Sequence, residues 1–323
     1  MNLSEKSLIW PEPLRPGDKV ALVAPSSPVS AGELETAVKS LELLDLEPIV
    51  MPGCRSHRGY LSGSDIRRAE DLNNAFASDD IRGIFCLRGG YGSMRILPLL
   101  DYAMIEKNPK TLVGYSDITA LHTAINKLCG FVTFHGPMPG AGYIQLDDFS
   151  LDSLKHALLY AKCTYPIINP PHHHMKVLYP GYAEGRLTGG NLSLLAGTLG
   201  SPYEADTRGR LLFIEEVNEE PYRLDRSLTS LALAGKFRDC SGIILGTFTG
   251  CSDRNQISVS ENAGSPEASP EVMDIIREVV LPWKKPVLFN LQAGHIYPQI
   301  TLPMGAAAAL DLNMPDSANL SVL

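Results

Sequence analysis

The sequence predicts an α/β fold. Its first half reads as a parallel sheet covered by helices on both faces; after an interdomain connection, the second half is again α/β and closes in β-like segments. Three observations predict it. Short apolar runs of strand length alternate with stretches whose apolar residues recur at helical spacing. The strand runs are apolar throughout, the pattern of strands buried on both faces. The sharpest interruptions, at Pro25-Ser26, Arg88-Gly89-Gly90, Ser116 and His135, all fall just past the end of a strand run, where open α/β sheets place their binding crevice.

Val20 to Pro25 is a buried strand, with Ser26-Ser27-Pro28 as its turn. Ser30 and Glu33 have capping-box spacing, and Leu34, Ala37, Val38, Leu41 and Leu44 line one helical face. Pro48 to Met51 is a second strand, followed by a loop through Pro52-Gly53, Arg58-Gly59 and Ser62-Gly63-Ser64. A helix from Asp65 is expected to turn Ile66, Ala69, Leu72 and Phe76 inward. Gly83 to Leu87 is a third strand and runs into Arg88-Gly89-Gly90-Tyr91-Gly92. Thr111 to Tyr115 is a fourth. Ile118, Leu121, Ile125 and Leu128 then fall at helical spacing, with Gly130 as the stop. Val132 to Phe134 is another strand, ending in His135-Gly136-Pro137.

Past Pro139 the pattern breaks, which places an N-terminal domain at 1–145, a connection at 146–182 and a C-terminal domain at 183–323. The connection holds a helix near 152–160, the proline-rich run Tyr165 to Pro171, and His172-His173-His174. Adjacent residues cannot all face one ion in regular structure, so the triplet reads as exposed linker and no metal is assigned. The second half opens with a strand, the glycine turn Gly189-Gly190 and a helix start after Asn191. It continues with a buried strand Leu211 to Ile214 ending in Glu215-Glu216. A helix carrying Tyr222 to Leu231 and an apolar strand Gly242 to Gly246 follow. Ser252 to Ala268 is polar and reads as a mobile surface loop. A helix from about Pro270 to Val280, a strand at Pro286 to Asn290, and Gln292-Ala293-Gly294-His295 come next.

Composition bounds the function. The chain has 323 residues, 44% hydrophobic and 20% charged, as expected of an ordinary soluble enzyme of one large or two ordinary domains. A formal net charge of −8 argues against nucleic acid or an anionic membrane as the main partner. The N-terminal stretch has no apolar core of signal-peptide type, and no apolar run approaches transmembrane length. The six cysteines are scattered without C-x-x-C spacing and read as reduced, mostly buried thiols of a cytoplasmic protein.

The stretch that carries chemistry is Thr111 to Leu121. It places Ser116 on the turn between a strand and a helix, with neighbouring backbone N–H groups available to a developing negative charge. This is the geometry of a nucleophile elbow, although Ile118 replaces the last glycine of G-x-S-x-G. A Ser-Asp pair at a helix start also serves as a plain cap. A serine hydroxyl needs a base, and the base needs a carboxylate to fix its tautomer. Candidates for both follow apolar strands, as Glu215-Glu216 and His295. One step along an extended chain reverses side-chain direction, so only one of the two acids can face His295.

Gly114-Tyr115-Ser116-Asp117-Ile118-Thr119-Ala120-Leu121, Arg88-Gly89-Gly90-Tyr91-Gly92, Gly189-Gly190-Asn191-Leu192, Leu212-Phe213-Ile214-Glu215-Glu216, Tyr222-Arg223-Leu224-Asp225-Arg226 and Ala293-Gly294-His295 together resemble the LD-carboxypeptidase family. This serine peptidase group includes murein tetrapeptide carboxypeptidases and microcin C immunity peptidases. The resemblance runs over nearly the whole chain. It implies an N-terminal Rossmann-like domain carrying the nucleophile, a C-terminal β-rich α/β domain, an active site between them, and a homodimer. It implies Ser116 as nucleophile, His295 as general base, Glu215 as orienting carboxylate, and the backbone N–H groups of Gly90 and Asp117 as the oxyanion hole. No cofactor and no metal is expected. The implied substrate is a small peptide, a murein tetrapeptide losing its terminal D-Ala in cytoplasmic recycling of the cell wall.

Other residues admit two readings. Arg88 is suited to clamp a terminal carboxylate, or to pair with a nearby acid. Asn191 would contact substrate or position a loop. His135 reads as a structural histidine, and Arg223 and Arg226 as helix-face ion pairs. Two other functions compete. An immunity peptidase would use the same triad on a peptidyl-nucleotide and would want an aromatic platform, yet neither Trp10 nor Trp283 lies in a triad motif. A non-catalytic two-domain binding protein would use the crevice alone.

Overall fold

The computed structural model describes residues 9–159, 164–252, 270–314 and 317–323. In the first half, strands β1 (Lys19–Val23), β2 (Glu47–Val50), β3 (Ile81–Cys86), β4 (Thr111–Gly114) and β5 (Thr133–His135) pair in parallel, as their continuous apolar runs require. Helices Ala31–Glu42, Asp65–Ala77 and Thr119–Leu128 connect them. Ser30 and Glu33 form the expected capping box. Helix Asp65–Ala77 buries Ala69, Leu72 and Phe76 as the spacing predicts, but Ile66 stands 64% exposed. It lies in the first turn, short of the sheet the later turns pack against.

The second half contributes β6 (Tyr165–Ile167), β7 (Lys176–Tyr179), β8 (Tyr182–Asn191), β9 (Leu211–Val217), β10 (Gly242–Thr249) and β11 (Val287–Phe289). β12 (Leu302–Met304), β13 (Ala307–Met314) and β14 (Ser317–Val322) complete the set. The second sheet is mixed, in the order β6-β14-β13-β8-β9-β10-β11-β7. β12 leaves it and pairs antiparallel with β5, extending the first sheet to β12-β5-β4-β3-β1-β2.

Two boundaries therefore differ from the sequence reading. Residues 146–182 are not a passive connection: they form helix Asp148–Leu159 and both edge strands of the second sheet, β6 and β7. Prolines made the stretch look like linker, but proline is tolerated on an edge strand, and Pro166 sits on one. The C-terminal part in turn returns β12 to the first sheet. The loop expected over 252–268 lies outside the described residues from 253 onward. Helix Pro270–Ile275 passes into a wider turn at Ile276–Val280.

The core divides by faces of β9. Leu211 and Phe213 belong to the cluster that runs from the first half of the chain into the second sheet. Leu212 and Ile214 point the other way, into a cluster closed by Leu224, Leu228 and Leu231 of helix Pro221–Leu233. Full burial of a side chain such as Phe213 contributes about 1.5–3 kcal/mol.

His122, on helix Thr119–Leu128, is fully buried between Gly114 O (2.8 Å from Nε2) and Thr133 Oγ1 (2.9 Å from Nδ1). Burial lowers its pKa from 6.5 to about 4. The unfolded chain takes up this proton below pH 6.5 and the folded protein does not. Stability is therefore whole above pH 6.5 and falls as pH drops toward 4, by about 3 kcal/mol at about 1.4 kcal/mol per pH unit. His122→Gln keeps a donor and an acceptor but does not titrate. Urea unfolding at pH 7 and pH 5 will show a smaller pH-dependent loss in this variant than in the parent; equal losses would refute the assignment.

Candidate active site

Ser116 follows β4 at the sheet's C-terminal edge. Its φ of +64° lies in the left-handed region, uncommon for a side-chain-bearing residue and characteristic of a strained elbow. Gly114 permits the sharp reversal, since a Cβ there would lie 2.8 Å from Ile118 Cγ1. The turn Ser116–Ile118 leads directly into helix Thr119–Leu128.

The Arg88-Gly89-Gly90 loop closes over this turn. A Cβ on Gly89 would sit 2.8 Å from Ser116 Cβ and 2.9 Å from its Oγ, so only glycine lets the loop approach the hydroxyl this closely. The side chain of Asp117 points into the protein. Its Oδ2 accepts from Ser26 Oγ and from Ser93 N (2.7 Å), and Ser93 Oγ donates to Asp117 O. Burial, offset in part by these hydrogen bonds, raises the pKa of its carboxyl.

His295 comes from the other half of the chain. Its Nδ1 lies 2.7 Å from Glu215 Oε2, and the Glu215 side chain is completely buried. A carboxylate oxygen only accepts, so Nδ1 carries the ring proton and the lone pair of Nε2 is left for another partner. Gly294 makes the approach possible: a Cβ there would meet Glu215 Oε2 at 2.6 Å. Alternation along β9 settles the choice between the two acids. Glu215 shares the face of Leu211 and Phe213, toward the first sheet. Glu216 faces away, accepting from Asn191 Nδ2 (2.8 Å), Ser193 N (2.9 Å) and Ser193 Oγ (2.6 Å).

Ser116 and His295 line one cavity of about 280 Å³, together with Arg88, Gly89, Gly90 and Tyr115. No hydrogen bond joins Ser116 to His295 among the described residues; such contacts are commonly long before substrate binds. A larger cavity of about 750 Å³ lies at Asn169 to Val177, lined by the histidine triplet, and contains none of these groups.

Asn191 does not line the cavity. It stands opposite Glu215 in the β8–β9 ladder, but its amide is spent on Glu216 and on capping helix Leu192–Gly197. Its reading as a substrate contact is therefore replaced by a positioning one. Arg88 does reach the cavity. Among the described residues it is held only by long contacts, to Pro28 O at 3.5 Å and Glu33 Oε1 at 3.8 Å. His135 is buried against Phe213 and Tyr115, with ring centroids 5.2 and 5.9 Å away. Burial drives its pKa far down, which keeps it neutral. Arg223 pairs with Glu219 and Glu220 along its helix. The motifs did not single out Tyr115, whose ring packs 4.8 Å from that of His295. Only its place beside Ser116 could have signalled it.

A hydroxyl on a strained elbow, and an imidazole lining the same cavity with a buried carboxylate behind it, are the kinds of group that peptidases of the serine type combine. Residues 20–136 match the LD-carboxypeptidase N-terminal domain and residues 184–310 the LD-carboxypeptidase C-terminal domain. A probable murein peptide carboxypeptidase of Bacillus subtilis (strain 168) is 40% identical over 304 residues, covering 93% of this chain and 91% of that protein. A murein tetrapeptide carboxypeptidase of Pseudomonas aeruginosa is 32% identical over 308 residues, covering 91% and 94%. The crystal structure of an MccF-like protein from Bacillus anthracis superposes with a TM-score of 0.85 at 25% identity, over 98% of this chain and 99% of that one. The chain belongs to the LD-carboxypeptidase family.

Replacing Gly89 by alanine tests the closeness of loop and hydroxyl. The added methyl must push Ser116 aside, and a misplacement of about 1 Å costs on the order of a hundredfold in rate. Gly89→Ala is expected to lose at least that much kcat while its circular dichroism stays that of the parent. Undiminished turnover would show that the loop does not constrain the hydroxyl.

Proposed function

We propose that Ser116, Glu215 and His295 form the triad of a carboxypeptidase that cleaves an L-D peptide bond, removing the terminal D-Ala from murein tetrapeptides. The observation that carries this reading is the His295–Glu215 hydrogen bond at the cavity that also holds Ser116. The names of the relatives support the substrate. Ser116 Oγ attacks the scissile carbonyl as His295 Nε2 takes its proton. The N–H groups of Gly90 and Asp117 hold the oxyanion. His295 then protonates the departing D-alanine amine, and water, deprotonated by His295, releases the acyl group from Ser116. Arg88, a weakly engaged guanidinium on the cavity wall of an otherwise acidic protein, binds the terminal carboxylate and so makes the enzyme an exopeptidase. The resemblance supports a cytoplasmic homodimer acting in peptidoglycan recycling. Among the described residues no helix is long and apolar enough to cross a membrane.

The immunity-peptidase alternative shares this fold, as the MccF-like structure attests. Neither Trp10 nor Trp283 lines the cavity, since both pack against the hydrophobic clusters; the aromatic ring that does line it, Tyr115, packs on His295. Comparing turnover of a muropeptide with that of a processed microcin separates the two.

Ser116→Ala is expected to abolish release of D-alanine from free tetrapeptide while leaving the thermal unfolding curve intact; full activity would refute the triad. Arg88→Ala is expected to raise KM for the free tetrapeptide roughly tenfold to a hundredfold, the loss of one charge-assisted contact. It should leave the slow hydrolysis of the C-terminally amidated peptide unchanged. An equal effect on both peptides would place Arg88 outside carboxylate recognition.

A further inference from the structure

Arg68 is a charged side chain the mechanism has not used. It lies on helix Asp65–Ala77, is 1% exposed, and its guanidinium is enclosed beneath the elbow loops. One of its nitrogens, Nη1, donates to two backbone carbonyls from two loops: Pro25 O, at the end of β1, and Gly92 O (2.9 Å), at the end of the Arg88-to-Gly92 loop. Its other terminal nitrogen donates to Asp65 Oδ1, and Asp65 is held in turn by Arg95 (2.7 Å from Nη2 to Oδ2). Gly92 takes a φ of +140°, and a Cβ there would lie 2.6 Å from Arg68 Nη1, so the loop is shaped around the guanidinium.

The same two loops are also gripped by Asp117. Its carboxylate accepts from Ser26 Oγ and from the N–H group of Ser93. Between these grips the loops are tied to each other. Ser27 N donates to Gly89 O (3.3 Å), and Tyr91 N donates to Ser27 Oγ (3.4 Å). A buried cation thus satisfies two carbonyls, and a buried carboxylate a hydroxyl and an N–H, on either side of Gly89 and Gly90. An apolar residue in place of Arg68 would leave Pro25 O and Gly92 O buried without this donor, and an unsatisfied buried carbonyl is costly. Burying a guanidinium is itself costly, so its presence needs a reason beyond filling space.

We propose that Arg68 is a positioning residue for the oxyanion hole: it fixes the Gly89-Gly90 loop at the distance from Ser116 that transition-state binding requires. This rests on the reading of Ser116 as nucleophile and of the Gly90 and Asp117 N–H groups as oxyanion donors. It predicts a loss of transition-state affinity without a loss of ground-state affinity. A merely structural role predicts lower stability alone.

The test measures kcat and KM on the tetrapeptide, inhibition by a peptide aldehyde, product tripeptide binding and Tm in Arg68→Met, Arg68→Lys and the parent. The aldehyde's adduct with Ser116 Oγ places an oxygen in the hole. In Arg68→Met, kcat is expected to fall about a hundredfold, comparable to loss of one oxyanion donor. Aldehyde affinity should fall by a similar factor, and tripeptide affinity should stay within about twofold. Arg68→Lys, which restores a buried donor, should recover part of both losses. Parental kcat and aldehyde affinity in folded Arg68→Met, whatever its Tm, would overturn the proposal. Should Arg68→Met not fold, Asp65→Asn, which leaves Arg68 in place without its counterion, decides: a parallel loss in kcat and aldehyde affinity supports the proposal, and parental values overturn it. A parent enzyme insensitive to the aldehyde, with an active Ser116→Ala variant, would instead sink the triad reading beneath it.

Discussion

One close backbone approach holds Ser116 and the Glu215–His295 pair in register. The helix that begins just after Ser116 docks on β8 through Thr119, whose Oγ1 accepts from the N–H of Asn191 at 2.9 Å. Gly190 makes room for it, since a Cβ there would lie 2.4 Å from Thr119 Oγ1, and its φ of +138° suits glycine. On the next strand Asn191 stands opposite Glu215. The hydroxyl is thus three residues from the contact on one side, and the carboxylate one strand away on the other. The remaining geometry is inherited: Glu215 orients His295, and both approach Ser116 because β8 and the elbow helix cannot slide past each other without a clash.

The packing around this contact reinforces it. Phe213, on the same face of β9 as Glu215, is buried against His135 of β5, so the strand that carries the acid also anchors the two sheets together. β12 then crosses back from the second half to pair with β5. The halves are interleaved by chain crossing as well as by side-chain contact. Relative motion of the two sheets must break backbone hydrogen bonds and uncover apolar surface.

This interleaving is what the sequence concealed. Each parallel strand of the first sheet was legible, because apolar runs leave a continuous pattern, and the capping box at Ser30 marked a helix start without ambiguity. Ser116, Glu215 and His295 stood out in the sequence because each is a polar group at or just past an apolar strand run, although β9 in fact continues through Glu215 to Val217. Alternation along β9 even implied that only one of the two acids could serve. β12 was not legible, since three residues containing a proline carry no strand signal. Neither were the edge strands in 146–182, where prolines satisfied by an edge position imitate a linker. Asn191 misled for a related reason: a polar residue beside glycines suggests a ligand, and the partner that occupies it, Glu216, is distant in sequence. Arg68 left no trace, because in a sequence it is one charged residue on a charged helix; only its burial distinguishes it.

The distribution of charge around the elbow follows from the same constraint. Ser116 is held in a backbone conformation that costs on the order of 1–3 kcal/mol, and such strain persists only where the surroundings over-determine it. Asp117 supplies that determination. Its side chain, anchored by Ser26 and Ser93, fixes the residue next to the strained one, and burial of its carboxyl makes every one of those hydrogen bonds expensive to lose. The acid that looks from sequence like part of a helix cap is instead the inner anchor of the turn. An elbow of this kind needs a buried charge beneath it, and the buried charge needs loops rich in donors. The glycines of Arg88-Gly89-Gly90-Tyr91-Gly92 and the serines after β1 are therefore consequences of placing one hydroxyl at a strained position.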